Sequence, residues 1–181
     1  MSNLFQVCCK FVIFDQTGNN VLLCQRKGEA DFDGTFSFAG GKIENSDNGI
    51  RNGIQREKNE ELWTNCQVTL YKELCDFAYY VKNDDNCMIL PHFLCIFQWW
   101  EIILSDEYST YQWFPLKELA TTPNIIDTVA PMADKMHRYR DIIPRLSSLF
   151  LVVSLSSKIF ISTVLQTPLW LLIHPCALLV Q

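Results

Sequence analysis

The sequence predicts an α+β domain, an α/β/α sandwich on a mixed β-sheet with two main helices, followed by an apolar C-terminal tail. Three observations predict it. Runs rich in β-branched and aromatic residues are separated by polar, turn-forming stretches. Two helix-type stretches lie far apart and do not alternate regularly with the strands, which excludes a simple βαβ repeat. The composition also changes abruptly after Pro144. A length of 181 residues suits one ordinary domain with an appendage and is short for two. The expected organisation is a domain over residues 1–146 and a tail over 147–181.

Val7 to Phe14 and Val21 to Arg26 read as two strands joined by the turn-rich Asp15–Asn20. Gly28 to Asp33 reads as an irregular loop, and Thr35 to Phe38 alternates as a short strand leading into Gly40-Gly41. From Ile50 to Leu62 good helix formers predominate, with Ile50, Ile54 and Leu62 as an apolar stripe at helical spacing. Gln67 to Lys82 and Met88 to Gln98 are expected to form two long strands around the polar turn Asn83–Asn86, and Tyr111 to Phe114 a shorter one. A helical turn is expected over Pro115 to Leu119 and the second main helix over Asp127 to Arg140.

The formal net charge is −5, from 15 Lys and Arg against 20 Asp and Glu, so the chain as a whole lacks the basic footprint of a nucleic-acid-binding protein. A small phosphorylated ligand bridged by metal is compatible with this balance. Cys8, Cys9, Cys24, Cys66, Cys75, Cys87, Cys95 and Cys176 are scattered, mostly within apolar runs, and show no zinc-type spacing. With no basic start or long apolar run in Met1 to Gln6, they predict reduced thiols in a cytoplasmic compartment. Ser147 to Gln181 carries one charged side chain, Lys158. Its longest apolar stretch, Ile159 to Ile173, is shorter than the about 20 residues of a membrane span and contains Gln166 and Pro168. Membrane contact, a covered helix and a segment without a selected role are the three readings of this tail.

Glu57, Glu60 and Glu61 stand at i, i+3 and i+4, so a helix puts three carboxylates on one face. Such like charges repel by about a few tenths of a kcal/mol per pair on a plain surface helix, and a bound divalent cation reverses the sign. Hard carboxylate oxygens suit Mg²⁺ or Mn²⁺. A solvated charged helix face is the competing reading of the same residues. The preceding Gly40-Gly41-Lys42 favours a ligand site, because glycines expose backbone groups and the lysine adds positive charge.

Together, Phe38-Ala39-Gly40-Gly41-Lys42-Ile43-Glu44 and Arg56-Glu57-Lys58-Asn59-Glu60-Glu61 resemble the Nudix hydrolase signature G-x5-E-x7-R-E-U-x-E-E-x-G-U, with U a bulky apolar residue. Ile89–Phe93 and the run from Glu107 to Leu119 are similar to the downstream strand and its exit in that family. The resemblance implies a Mg²⁺- or Mn²⁺-dependent hydrolase that cleaves the diphosphate linkage of a nucleoside diphosphate derivative: a nucleotide sugar, a dinucleotide or a nucleoside triphosphate. It implies that Glu57, Glu60 and Glu61 hold the metal with the Gly40 carbonyl, one of them also serving as base toward water. Arg56 would orient the glutamates, with Asp47 standing in for the loop glutamate that pairs with this arginine. The chain departs from the signature in a loop one residue longer between Gly41 and Arg56, in Asp47, and in Lys58, Trp63 and Thr64. These departures motivate the alternative of a catalytically weak nucleotide-binding module.

For substrate contacts, Arg26 and Lys42 are candidates for phosphates, and Trp99, beside Trp100 where a turn is expected, for stacking on a nucleobase. His92, inside an apolar strand, reads as a structural histidine, and Glu107 as a candidate remote base or further metal ligand. The partner is expected to be a small nucleotide, not a nucleic-acid polymer, and the oligomeric state is open, a homodimer included.

Overall fold

The computed structural model describes residues 5–28, 32–62, 67–81, 86–99, 102–129, 131–132, 135, 138 and 142–144. All belong to the unit Met1–Pro144, so the expected boundary at residue 146 and the tail over 147–181 lie outside the described residues.

The strands are β1 (Phe5–Val7), β2 (Lys10–Phe14), β3 (Asn20–Arg26), β4 (Phe36–Ser37), β5 (Gln67–Val81), β6 (Cys87–Trp99) and β7 (Tyr108–Pro115), with the helix α1 at Ile50–Leu62. The expected helix over 50–62 has the observed bounds. The first expected strand is divided at Cys8 and Cys9, and Tyr111–Phe114 is lengthened because β7 pairs with β3 as far as Arg26↔Tyr108, across a bulge at Gln25/Arg26. Of the second expected helix, Val129, Pro131, Met132 and Lys135 are helical and Asp127 and Thr128 form a turn; much of its remainder lies outside the described residues. Leu116–Thr121 forms a 3₁₀ segment, in place of the shorter turn expected there.

The strands form one mixed seven-stranded sheet, as the composition of separated strands and helices predicts. β6 is its spine: β1 and β2 run parallel to it along one edge, through Phe5↔Cys87 and Lys10↔His92, and β5 runs antiparallel along the other. β3 pairs antiparallel with β2, β4 and β7. Phe11, Val12, Ile13 and Phe14 are all buried, and so are Leu94, Cys95 and Ile96. Successive strand side chains point to opposite faces, so both faces of the sheet centre are covered, which explains why these strands read as continuous apolar runs. Phe11, Ile13, Leu22, Cys24, Phe93 and Cys95 pack in one cluster with Ile54 and Leu62 of α1, fixing the helix over the sheet.

The glycine loop is pinned to the break between β1 and β2. Ile43 N–H donates to the Val7 carbonyl at 2.9 Å and Phe11 N–H to the Ala39 carbonyl at 2.9 Å, and Cys8 and Lys42 form an isolated bridge. Gly40, between these ties, has φ +129, and a Cβ there would overlap the Cys9 backbone carbonyl. Only glycine fits both the backbone angle and the space.

Candidate active site

A cleft of about 580 Å³ opens where the glycine loop, α1 and the strands meet. Glu57, Glu60 and Glu61 line it with Arg56, and so do Gly40, Lys42 and Arg26. Thus seven of the eight expected site residues, the six on the loop and helix together with Arg26, converge on one space. Trp99 does not. It ends β6, is 63 % exposed and is absent from the cleft wall. β6 presents Met88, Leu90 and His92 to the cleft, and Trp99 stands seven residues beyond His92, roughly 23 Å along the strand.

Local chemistry sets the acids in place. Asn45–Asp47 forms a 3₁₀ turn closed by a reciprocal cap, in which the Glu44 backbone N–H donates to Asp47 Oδ2 at 2.7 Å. Asp47 is thereby aimed at α1, where Gly53 leaves room for its carboxylate. Arg56 then acts as a fork. Its Nε and Nη2 donate to Asp47 at 2.7 and 3.0 Å, its Nη1 to Glu57 and Glu60 at 2.8 and 2.7 Å, and its Nη2 also to the Lys42 carbonyl at 2.9 Å. The expected pairing of Arg56 with Asp47 is present, with the planar, bidentate geometry a guanidinium supplies. Hydrogen bonding to Arg56 holds the Asp47 carboxyl below its ordinary range, and the same bond raises Arg56 further into its charged form.

The glutamates differ in environment. Glu60 is more than half exposed, whereas Glu57 and Glu61 are 6 % and 4 % exposed. Burial raises the Glu57 carboxyl, opposed by its bond from Arg56. Burial and the charge of Glu107 push Glu61 up to about 6, with the Ser105 hydroxyl donating to its Oε2 at 3.1 Å. Glu107 lines the same cleft, so its expected place near the acids is observed. A Cβ on Gly41 would collide with the Glu57 carboxylate, so the second glycine makes room for the first acid of the row.

Among the described residues, no three His, Cys, Asp or Glu side chains are drawn together closely enough to hold a metal ion. Arg56 draws Glu57 and Glu60 to itself and Ser105 holds Glu61. The donor set nonetheless fits a hard divalent cation: buried carboxylates whose ionised forms are disfavoured by burial and by their neighbours, beside backbone carbonyls, are the environment such an ion stabilises.

His92 is buried, with Nδ1 2.8 Å from the Leu90 carbonyl and the Phe38 ring edge-on at 5.6 Å; burial depresses it to about 4, so it is neutral, as expected of a structural histidine. Cys8, Cys9, Cys24 and Cys95 are buried free thiols, and burial raises Cys9 and Cys24 to about 12, which leaves them protonated and inert. Lys58 is half-buried on α1, while Trp63, Thr64, Trp100 and Cys66 lie outside the described residues. Sequence reasoning missed Lys10 and Ser105. Lys10 Nζ donates to the Gly40 carbonyl at 2.7 Å. Its signal was present as the one charged residue in the apolar run Val7–Phe14.

A helix presenting three carboxylates to a cleft, an arginine fork behind them and a glycine loop beside them define an enzyme of the pyrophosphohydrolase class. The family model of the NUDIX domain matches residues 5–136, and the chain belongs to the Nudix family, whose members generally use divalent metal ions. The fold is similar to that of a MutT protein from Methanosarcina mazei Go1, at 17 % identity over 76 % of this chain and 96 % of that one, with a TM-score of 0.63. It is also similar to a C. elegans Ap4A hydrolase binary complex, at 18 % identity over 81 % and 98 % of the two chains, TM-score 0.56. The NUDIX domain of Shewanella oneidensis NrtR complexed with ADP ribose matches at 16 % identity over 77 % and 89 %, TM-score 0.56. No curated protein matches the sequence.

Proposed function

We propose that the chain hydrolyses the diphosphate linkage of a nucleoside diphosphate derivative, with Mg²⁺ or Mn²⁺ held by Glu57, Glu60 and Glu61 together with the Gly40 carbonyl. The observation that carries this reading is the convergence of the three glutamates, the glycine loop and Arg56 on one cleft. A divalent ion bound there supplies charge neutralisation of the diphosphate and a lowered pKa for the attacking water. The protein's own part is to hold charge in place. Arg56 fixes the directions of Glu57 and Glu60, and Lys42 and Arg26 offer cations to phosphate oxygens from the loop and from the end of β3. Glu61, raised by burial, is the carboxylate best placed to accept a proton near neutral pH, with Glu107 beside it. The named ligands of the similar structures, Ap4A and ADP ribose, support a nucleotide built on a diphosphate.

The test is release of phosphate-containing products from a panel of nucleoside diphosphate derivatives with Mg²⁺, comparing the chain with Glu60→Gln. Glu60 is largely exposed, so the variant keeps the fold. Turnover that vanishes in the variant supports the reading; turnover equal in both refutes the role given to the acid row. The second reading, a nucleotide-binding module of weak activity, is favoured by the hold of Arg56 on Glu57 and Glu60. It predicts nucleotide binding without turnover. The proposal places the catalytic unit within residues 1–146, in a cytoplasmic, reducing compartment, with 147–181 an appendage whose deletion leaves turnover unchanged. Among the described residues no helix is long and apolar enough to cross a membrane.

A further inference from the structure

Lys10 occupies a position that no chemistry of the acid row explains. It starts β2 opposite His92 of β6 in the parallel pairing, within a run otherwise free of charge. Its register partner His92 faces the cleft, so Lys10 stands on the cleft face of β2, and its ammonium donates to the Gly40 carbonyl at 2.7 Å. That carbonyl is held rigidly, because Gly40 lies between the ties of Ala39 to Phe11 and of Ile43 to Val7 and its φ of +129 admits no other residue.

An ammonium and a divalent cation are rival electrophiles for one carbonyl oxygen, and they repel each other at close range. The geometry points to Lys10 as a tethered competitor of the metal: in the metal-free protein its charge stands at the Gly40 oxygen, and metal entry displaces it. This inference rests on the metal site proposed above and deepens it. Lys10 is a positioning residue that sets how tightly the site takes a divalent ion. Part of the compensation that a loosely bound cation would give the acid row is then built into the chain. Arg56 does the same for Glu57 and Glu60 through its own bonds.

The experiment is a Mn²⁺ titration of the full chain, read from the electron paramagnetic resonance signal of free Mn²⁺, for the wild type, Lys10→Met and Lys10→Gln. Methionine keeps the unbranched stem and its packing, and glutamine keeps a neutral donor, so the two changes share only the loss of charge. Folding of each is checked by circular dichroism. The expected result is that both variants bind Mn²⁺ about tenfold or more tighter than the wild type. Equal, measurable affinity in all three proteins overturns the inference and leaves the proposed metal site standing, since the second lone pair of the Gly40 oxygen would then take the metal beside Lys10. Weaker binding in both folded variants overturns it too. Absence of Mn²⁺ binding by all three at millimolar concentration overturns both the inference and the metal site on which it rests.

Discussion

Replacing Gly40 with alanine tests the idea that the loop is fixed by backbone geometry. The residue has φ +129, a conformation that costs an L-residue roughly 1–3 kcal/mol. The added Cβ also overlaps the Cys9 carbonyl, which is backbone between two strands and cannot swing aside as a side chain could. Forced overlap of this kind adds roughly 1–3 kcal/mol. Taking about 3 kcal/mol for the sum, the Tm of a domain of this size falls by roughly 6–12 °C, measured by a circular dichroism melt. Gly41→Ala is the control. The atoms nearest its Cβ are those of the Glu57 carboxylate, the end of a side chain that can turn away, so its Tm stays within about 2 °C of wild type while its Mn²⁺ affinity falls. A Gly40→Ala protein that melts with the wild type, or a Gly41→Ala protein that loses as much as Gly40→Ala, refutes the reasoning.

Three further outcomes follow from the same geometry. Glu61 has a folded pKa of about 6 against 4.5 for the free group, so the folded state binds more protons in that window and stability falls as pH rises through it, by about 2 kcal/mol in the metal-free protein. Glu61→Gln therefore melts higher than wild type at pH 7 and converges with it near pH 4.5, both read by thermal melts in chelator; a constant difference across that range defeats the assignment. Arg56→Lys keeps the charge but not the fork to Asp47, Glu57, Glu60 and Lys42, and lowers kcat/KM roughly tenfold or more in the product-release assay. Ile54→Ala removes the buried anchor of α1 and destabilises by about 2–4 kcal/mol in urea titration, with loss of Mn²⁺ affinity appearing only where the helix begins to unfold.

The extent of α1 was legible because two independent patterns coincide on it: Ile54 and Leu62 at helical spacing, and acids at i, i+3 and i+4. The role of Asp47 was legible through resemblance, and the cap of its turn explains physically how an aspartate reaches the arginine: the 3₁₀ turn and Gly53 bring the shorter acid close. Trp99 stands apart from the cleft, since aromatic character carries no information about distance along a strand. Residue type and nearness to a turn point to Trp99, whereas the cleft draws on the opposite half of β6, through Met88, Leu90 and His92. Lys10 was overlooked for the converse reason. A strand run read as apolar conceals a single long cationic side chain, whose destination depends on where the loop at residues 39–43 is tied, and those ties are contacts between segments about 30 residues apart.

The acid row and its surroundings also show why a binding face of this kind is unstable by itself and needs opposite charge supplied by the chain. Glu57 and Glu61 are buried with Glu107 nearby, and each is pushed toward its neutral form. Apolar packing of Ile54 and Leu62 keeps the helix against the sheet regardless of this repulsion. Arg56 then secures Glu57 and Glu60 without neutralising Glu61, whose protein partner is a hydroxyl and whose charge remains uncompensated by any direct salt bridge among the described residues. The remaining deficit of positive charge is concentrated at Glu61, on the side of the row where Glu107 also lies. A divalent cation therefore gains most at that end, which makes Glu61 the acid whose loss should weaken Mn²⁺ binding more than the loss of the exposed Glu60. A Mn²⁺ titration in which Glu60→Gln loses more affinity than Glu61→Gln would reverse this order and place the ion at the solvent end of the row instead.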